Sequence, residues 1–383
     1  MVILIKGGTL FSPAEVGKRD ILIVAGKIIK VEENIDLPDF LNARVVSAEG
    51  MTVVPGFIDL HVHLLGGGGE GGPSTRVPEI NLASIISAGV TTVIGCLGLD
   101  DISRNTEALL AKAMQLEDEG ISAFIYSGSY QIPLSTITGS IKKDIFLIPK
   151  VIGVGEIAVS DHRSSQLSFK EFCRVAADAR TGGMLGKKAG LVHIHIGHGI
   201  RKLDLLFRIV KETEIPVSQF LPTHLARTKE LLKEAIRFAK MGGNIDFTVP
   251  SADSSEYADA LKDALKAGVP IDRITLSSDS NGSIPVFDKN GNLSKLSVGN
   301  IANLHMEFRR LIKNGIPIEQ VLQTITSNPA KRAGIYEEKG SIESGKDADI
   351  VVLDQDLRIR SVIARGKMMI NKGEMLVKGT FEV

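Results

Sequence analysis

The sequence predicts an α/β protein: a (β/α)8 barrel of the TIM class carrying a small β-sandwich built from its N- and C-terminal segments. Three observations lead there. From Val53 on, an apolar run, a glycine-rich or polar loop and an amphipathic helical stretch follow one another, and eight strand-like runs can be counted. Both ends carry instead short apolar runs punctuated by Gly, Pro and Asp, the rhythm of hairpins. The length, 383 residues, exceeds an ordinary small domain and suits one large barrel with a smaller module.

Residues 1–52 supply the first part of the β-module, in VILIKGGTLFS, DILIVAGKIIKVEE and ARVVSAEGMTV. The barrel is expected over 53–335. Its strands are VVPGFIDLHVH, VTTVIGCLG, ISAFIYSGS, VIGVGEIAVS, GLVHIHIG, PVSQFLPTH, GGNIDFTV and RITLSSD. TEALLAKAMQLEDE, FKEFCRVAADAR, KLDLLFRIVKET, TKELLKEAIRFAKM and YADALKDALKAG carry the helical period between them. The helix before Val151 is short and interrupted. After Asp279, NGSIPVFDKNGNLSK reads as a loop or hairpin ending on Asn-Gly, and helices follow over 298–314 and 318–333. Short strands return in 336–383. Neither end is long enough to close a core alone, so the two are expected to pair. A doubly wound open sheet is the alternative, but no glycine fingerprint follows its first strand, and the G-x-G of GVGE lies inside a strand.

Composition narrows the function. Lys+Arg and Asp+Glu stand at 45 each, so no global field draws nucleic acid or an anionic membrane, and neither is expected as a partner. Cys96 and Cys173 are too few for a disulfide framework, and both read as buried thiols in a reducing compartment. MVILIKGG lacks the long apolar core of a secretory signal, and no run nears the ~18 apolar residues of a membrane span. The protein is expected to be soluble and cytoplasmic.

The chemistry collects at strand ends, where barrels of this class build their sites. His61 and His63 close the first strand on one face, and two imidazoles so placed can hold one metal ion from one side. Asp59 shares that face and is expected to orient a ring nitrogen or to ligate weakly. Gly66 to Gly69 then make a loop whose backbone can approach a ligand closely, and Glu70 ends it. Glu156 lies late in strand four, His195 ends strand five, His224 strand six and Asp279 strand eight. Imidazole and carboxylate donors suit Zn²⁺ first, with Mn²⁺, Co²⁺ or Fe²⁺ as substitutes. Six such donors exceed the three that one catalytic zinc uses, so two metals sharing a carboxylate are expected. The other histidines weigh less: His193 is expected to be structural, His198 solvated, His305 unrelated, and His162 an even choice between solvent and a supporting contact.

PGFIDLHVH, the PTH of strand six, the SSD of strand eight and the tail SNPAKRAGI…KGSIESGKDADIVVLD resemble the amidohydrolase superfamily. GGGGEGGPSTR, SGSYQIP, TITGS, SDHRS, LPTHLAR and TLSSDSNGS narrow the resemblance to its isoaspartyl (β-aspartyl) dipeptidase family, over nearly the full length. The resemblance implies that His61, His63 and Asp279 hold one zinc and His195 and His224 the other. It further implies that Asp279 acts as general base and that Glu70 binds the substrate α-ammonium. Tyr130 would polarise the scissile carbonyl, Arg163 and Arg227 would pair with substrate carboxylates, and Ser283 would help hold them. The substrate would be a small isoaspartyl dipeptide, a product of Asn and Asp rearrangement, and the assembly a homo-oligomer, up to an octamer.

One departure stands out. The family has a carbamylated lysine late in strand four as the metal bridge, and no lysine lies between Val151 and Ser165. Lys150 precedes the strand's core and is wrongly placed. Glu156 is therefore expected to bridge, offering two oxygens and one negative charge on a shorter arm. The competing enzyme reading is a dihydroorotase-like or D-aminoacylase-like hydrolase of cyclic or acyl amides with the same metal core. A non-catalytic scaffold relative is the reading from another class, and the retained histidines and Asp279 speak against it.

Overall fold

A computed structural model of the chain describes residues 1–38, 40–251, 257–288 and 290–382. Eight strands follow one another between Phe57 and Ser277: β1 (Phe57–Val62), β2 (Val90–Gly95), β3 (Ser122–Ser127), β4 (Val151–Val159), β5 (Leu191–Ile196), β6 (Phe220–Thr223), β7 (Ile245–Thr248) and β8 (Ile274–Ser277). Strands β1 to β6 pair in sequence order into one curled parallel sheet, and β7 pairs with β8. A parallel bridge between Val62 and Ser280 returns the chain after β8 to the end of β1, where His63 N–H donates to Ser280 O at 2.9 Å. Neighbouring parallel strands need long crossovers, and helices supply them.

The helices begin where side chains can cap them. Asn105 accepts from Ala108 N–H at the start of Thr106–Glu119, and Ser168 with Glu171 forms a capping box before Phe169–Gly186. The short helix expected before Val151 is present, Ile141–Leu147. Other helices differ in span from the sequence reading. The helix read from KLDLLFRIVKET begins only at Asp204. The helix expected over 318–333 is two, Ile318–Ile325 and Ser327–Ala333, broken at Thr326. Pro329 has no N–H to give the Ile325 carbonyl four residues back, so one continuous helix would lack that bond.

The two ends of the chain do join, as one nine-stranded sheet separate from the parallel one. The β-sandwich expected from the sequence thus takes the form of a single hydrogen-bonded sheet. Thr52–Pro55 sits in its middle, parallel to Val2–Phe11 on one side and antiparallel to Ile350–Leu353 on the other. Ile3, Ile5, Ile21, Ile350 and Val352 are buried in a core of its own. Among the described residues, no helix is long and apolar enough to cross a membrane.

Candidate metal centre and active site

Every residue of β1 is buried, and the strand delivers His61 and His63 to the same point, with their Nε2 atoms 3.3 Å apart. Asp59 does not orient either ring. Its Oδ1 accepts the N–H groups of His61 and Ser278 at 3.1 and 3.2 Å, tying β1 to the turn after β8. Burial raises its carboxyl to about 6 against those bonds. The ring partner is His193, whose Nε2 lies 3.2 Å from His61 Nδ1.

Glu156, midway along β4, stands between two groups of imidazoles. Its Oε2 is 3.2 Å from His61 Nε2 and 3.6 Å from His63 Nε2. Its Oε1 is 2.8 Å from His195 Nδ1 and 3.2 Å from His224 Nε2. Asp279 Oδ1 faces His61 Nε2 at 3.4 Å and His63 Nε2 at 3.2 Å. The six donors singled out in the sequence are thus brought together. Lys150 is not: its ammonium pairs with Glu117 on the helix Thr106–Glu119.

The residues expected to hold substrate lie beside this cluster. Glu70 Oε1 accepts from Arg163 Nη1 at 3.0 Å and from Ser283 Oγ at 2.6 Å. The Tyr130 hydroxyl is 2.7 Å from His195 Nδ1, and Arg163 lies over the Tyr130 ring. Arg227 Nη1 is 2.7 Å from the Ile196 carbonyl and 3.2 Å from His195 Nε2. The glycine run lets the protein's own backbone pass closely. Gly66 has φ +75°, and a Cβ there would collide with the Val77 carbonyl. The loop is thereby pinned, and Glu70 with it.

Several residues here escaped the sequence reading. Asp161 Oδ2 lies 3.0 Å from His195 Nε2 and accepts from Arg163 Nη2 at 3.0 Å. Thr248 Oγ1 is 2.7 Å from His224 Nδ1. These contacts occupy the outer nitrogens of the two rings and leave His195 Nδ1 and His224 Nε2 turned toward Glu156. Asp161 sits in the quoted SDHRS, so position was its signal; Thr248 had none beyond lying on an inward-facing strand. His193, expected to be structural, supports the ring of His61. His162 packs edge-on against Phe287 and lines the cavity with it, His198 lines the cavity as well, and His305 bonds the Leu357 carbonyl away from the site. Cys96 is buried, as expected, but among the ligand candidates: its sulfur groups with His61, His63 and Glu156.

The electrostatics test whether cations belong here. Glu156 Oε2 and Asp279 Oδ1 are buried without hydrogen-bond partners, each facing the Nε2 atoms of His61 and His63. Were those nitrogens unprotonated, the facing lone pairs would repel unless a positive charge lay between them. In the metal-free chain protons take that place. Burial opposes a charged His63, yet Cys96 and Asp279 raise it to about 10. Burial likewise opposes an ionised Glu156, but His61 and His195 hold its carboxyl well below the usual range. Two donor groups, one with His61 and His63 and one with His195 and His224, share Glu156. The donors fit a pair of divalent ions. A cavity of about 560 Å³ opens beside them, lined by Arg163, Arg227 and Asp279 and, on the far wall, by Ile284, Val286 and Phe287.

The amidohydrolase family model matches residues 52–369. The β-aspartyl dipeptidase of the thermophilic keratin degrader Fervidobacterium islandicum AW-1, solved in complex with β-Asp-Leu dipeptide, is 44% identical with a TM-score of 0.93, covering 98% of both chains. A second structure of β-aspartyl dipeptidase from that organism gives 42% and 0.90, again over 98% of both chains. The dihydroorotase of Ligilactobacillus salivarius (strain UCC118) is 26% identical over 92% of this chain and 89% of its own.

Proposed function

The chain belongs to the amidohydrolase family, and from that premise we propose that it is a binuclear metallo-dipeptidase cleaving the β-aspartyl bond of isoaspartyl dipeptides. The observation that carries the substrate is the Glu70–Arg163 pair, 3.0 Å apart beside the metal-competent cluster. A β-aspartyl residue presents an α-ammonium and an α-carboxylate on one carbon, next to the amide to be cut. A carboxylate and a guanidinium held side by side match those two charges. Glu70 Oε2 is buried with no hydrogen-bond partner, which suits it to receive the ammonium. A dihydropyrimidine ring, the substrate class of a dihydroorotase, has no ammonium for Glu70. The fold assigned with this reading is one closed (β/α)8 barrel, and its setting a cytoplasmic homo-oligomer.

His61, His63 and Asp279 would hold one ion, His195 through Nδ1 and His224 through Nε2 the other, with Glu156 between them. When bound, the ions supply Lewis acidity at the scissile carbonyl and lower the pKa of the attacking water. The chain's own groups do the rest. Asp279, kept ionised by His61 and His63 despite burial, accepts the water's proton on a carboxylate oxygen and passes it to the leaving nitrogen. Tyr130 keeps its proton, because burial and then Glu156 push its phenol well above the usual value. It therefore donates from its hydroxyl to the carbonyl oxygen as charge develops there. Ser283 holds Glu70 in place, and Arg227 takes the carboxylate of the leaving residue. The apolar wall of Ile284, Val286 and Phe287 receives that residue's side chain.

Metal analysis combined with turnover of β-Asp-Leu tests the proposal. Two metals per chain with β-Asp-Leu hydrolysis and no action on dihydroorotate is the expected result. Dihydroorotate turnover without β-Asp-Leu hydrolysis would sink it.

A further inference from the structure

Cys96 has no task in the hydrolysis described above, yet it sits in the metal centre. It directly follows β2, is fully buried, and its Sγ, one nitrogen each of His61 and His63, and one oxygen of Glu156 all lie within 4.8 Å of one another. The second observation is independent of the sulfur. Glu156 Oε2 is buried without a hydrogen-bond partner and faces the same two rings. The thiol also has little to lose. The thiol donates to Val62 O at 3.7 Å, and that carbonyl already accepts the Cys96 N–H at 3.0 Å. Losing the thiol proton leaves no backbone group orphaned.

We propose that Cys96 is a thiolate ligand of the ion held by His61 and His63, giving that ion a donor set of sulfur, two imidazoles and the Glu156 carboxylate. The inference rests on the metal dependence of the proposed function, not on its substrate. As the ion binds, the S–H bond breaks, the sulfur lone pair forms the bond to the metal, and the proton leaves to water. Two consequences follow from the donor count. Four protein donors are the number of a closed zinc site, whereas Glu156, His195 and His224 number three, the count that leaves a position open. Asp279, placed on the same ion in the reading above, then need not stay bound to complete its shell and is free for proton transfer. A thiolate also favours zinc, cobalt or cadmium there over manganese or magnesium.

The test is cobalt substitution of the full-length, metal-stripped protein, with Co²⁺ itself as the probe. The expected result is a near-ultraviolet thiolate-to-cobalt charge-transfer band that persists in Cys173→Ser, in which Cys96 is the one remaining cysteine. The band should vanish in Cys96→Ser and Cys96→Ala while the visible bands of bound cobalt remain. Zn²⁺ affinity should fall by roughly tenfold or more in those variants, since losing even an outer-shell partner costs that much. Should the Cys96 variants fail to fold, the Cys173→Ser spectrum decides alone. No band in Cys173→Ser cobalt protein, with cobalt bound, overturns the proposal. Turnover of β-Asp-Leu on the same samples separates the two readings: a band without turnover keeps the ligand and removes the substrate, and turnover without a band does the reverse.

Discussion

His193 Nε2 lies 3.2 Å from His61 Nδ1, and His193 Nδ1 lies 3.1 Å from the Leu221 carbonyl. Burial, and then the neighbouring His61, lower His193 to about 3, so its ring is neutral. A neutral ring with one N–H must give it to the carbonyl, which can only accept. Its Nε2 therefore accepts from His61 Nδ1–H, which leaves His61 Nε2, facing Glu156 and Asp279, as the nitrogen that would bind a metal. His193 is a positioning residue that sets the tautomer of a metal ligand.

His193→Ala should therefore loosen Zn²⁺ binding by roughly 10- to 100-fold, the usual effect of losing such a partner. His193→Gln, which keeps an acceptor, should recover part of it. Competition titration against a chelator measures both. Unchanged affinity in the alanine variant would remove His193 from this role.

Glu156→Gln removes the charge and one anionic oxygen from the group that faces all four imidazoles. The expected result is a metal content below two per chain, with turnover reduced accordingly. Retention of two metals per chain would show that Glu156 is not the bridge.

Arg163→Met breaks the pair with Glu70 and the contacts to Asp161. KM for β-Asp-Leu should rise by the equivalent of about 2–5 kcal/mol, the range for truncating one partner of a buried charge pair, while metal content stays constant. An unaltered KM contradicts the assignment.

Phe287→Ala opens the apolar wall of the cavity. The ratio of kcat/KM for β-Asp-Leu over β-Asp-Gly should fall by roughly tenfold, within the range for deleting apolar contacts in a pocket. An unchanged ratio would place the leaving side chain elsewhere.

The metal-stripped protein should lose stability with rising pH. His63 is raised from 6.5 to about 10, so the folded state holds a proton that the unfolded chain releases. That contribution is fully present below 6.5 and is lost as pH climbs toward 10. Thermal unfolding should show a midpoint falling by several degrees across that window, and a flat profile once metal replaces the proton. Equal slopes with and without metal would refute this account.

The sequence alone determined the alternation of strand and helix, because period-2 and period-3.6 apolar patterns are local properties of the chain. It also located His61, His63, His195, His224, Glu156 and Asp279, because donor residues at strand ends need only a strand boundary to be noticed. Glu70, Tyr130, Arg163, Arg227 and Ser283 were legible only through resemblance, since a loop residue carries no periodicity. The direction of each ring was decided by tertiary contacts alone. His193 against His61, Thr248 against His224 and Asp161 against His195 join segments far apart in the chain, and no local pattern encodes which nitrogen meets which partner. The place of Cys96 is the same case: a buried thiol reads alike in any apolar strand, and only the folding of β2 beside β1 puts its sulfur among imidazoles.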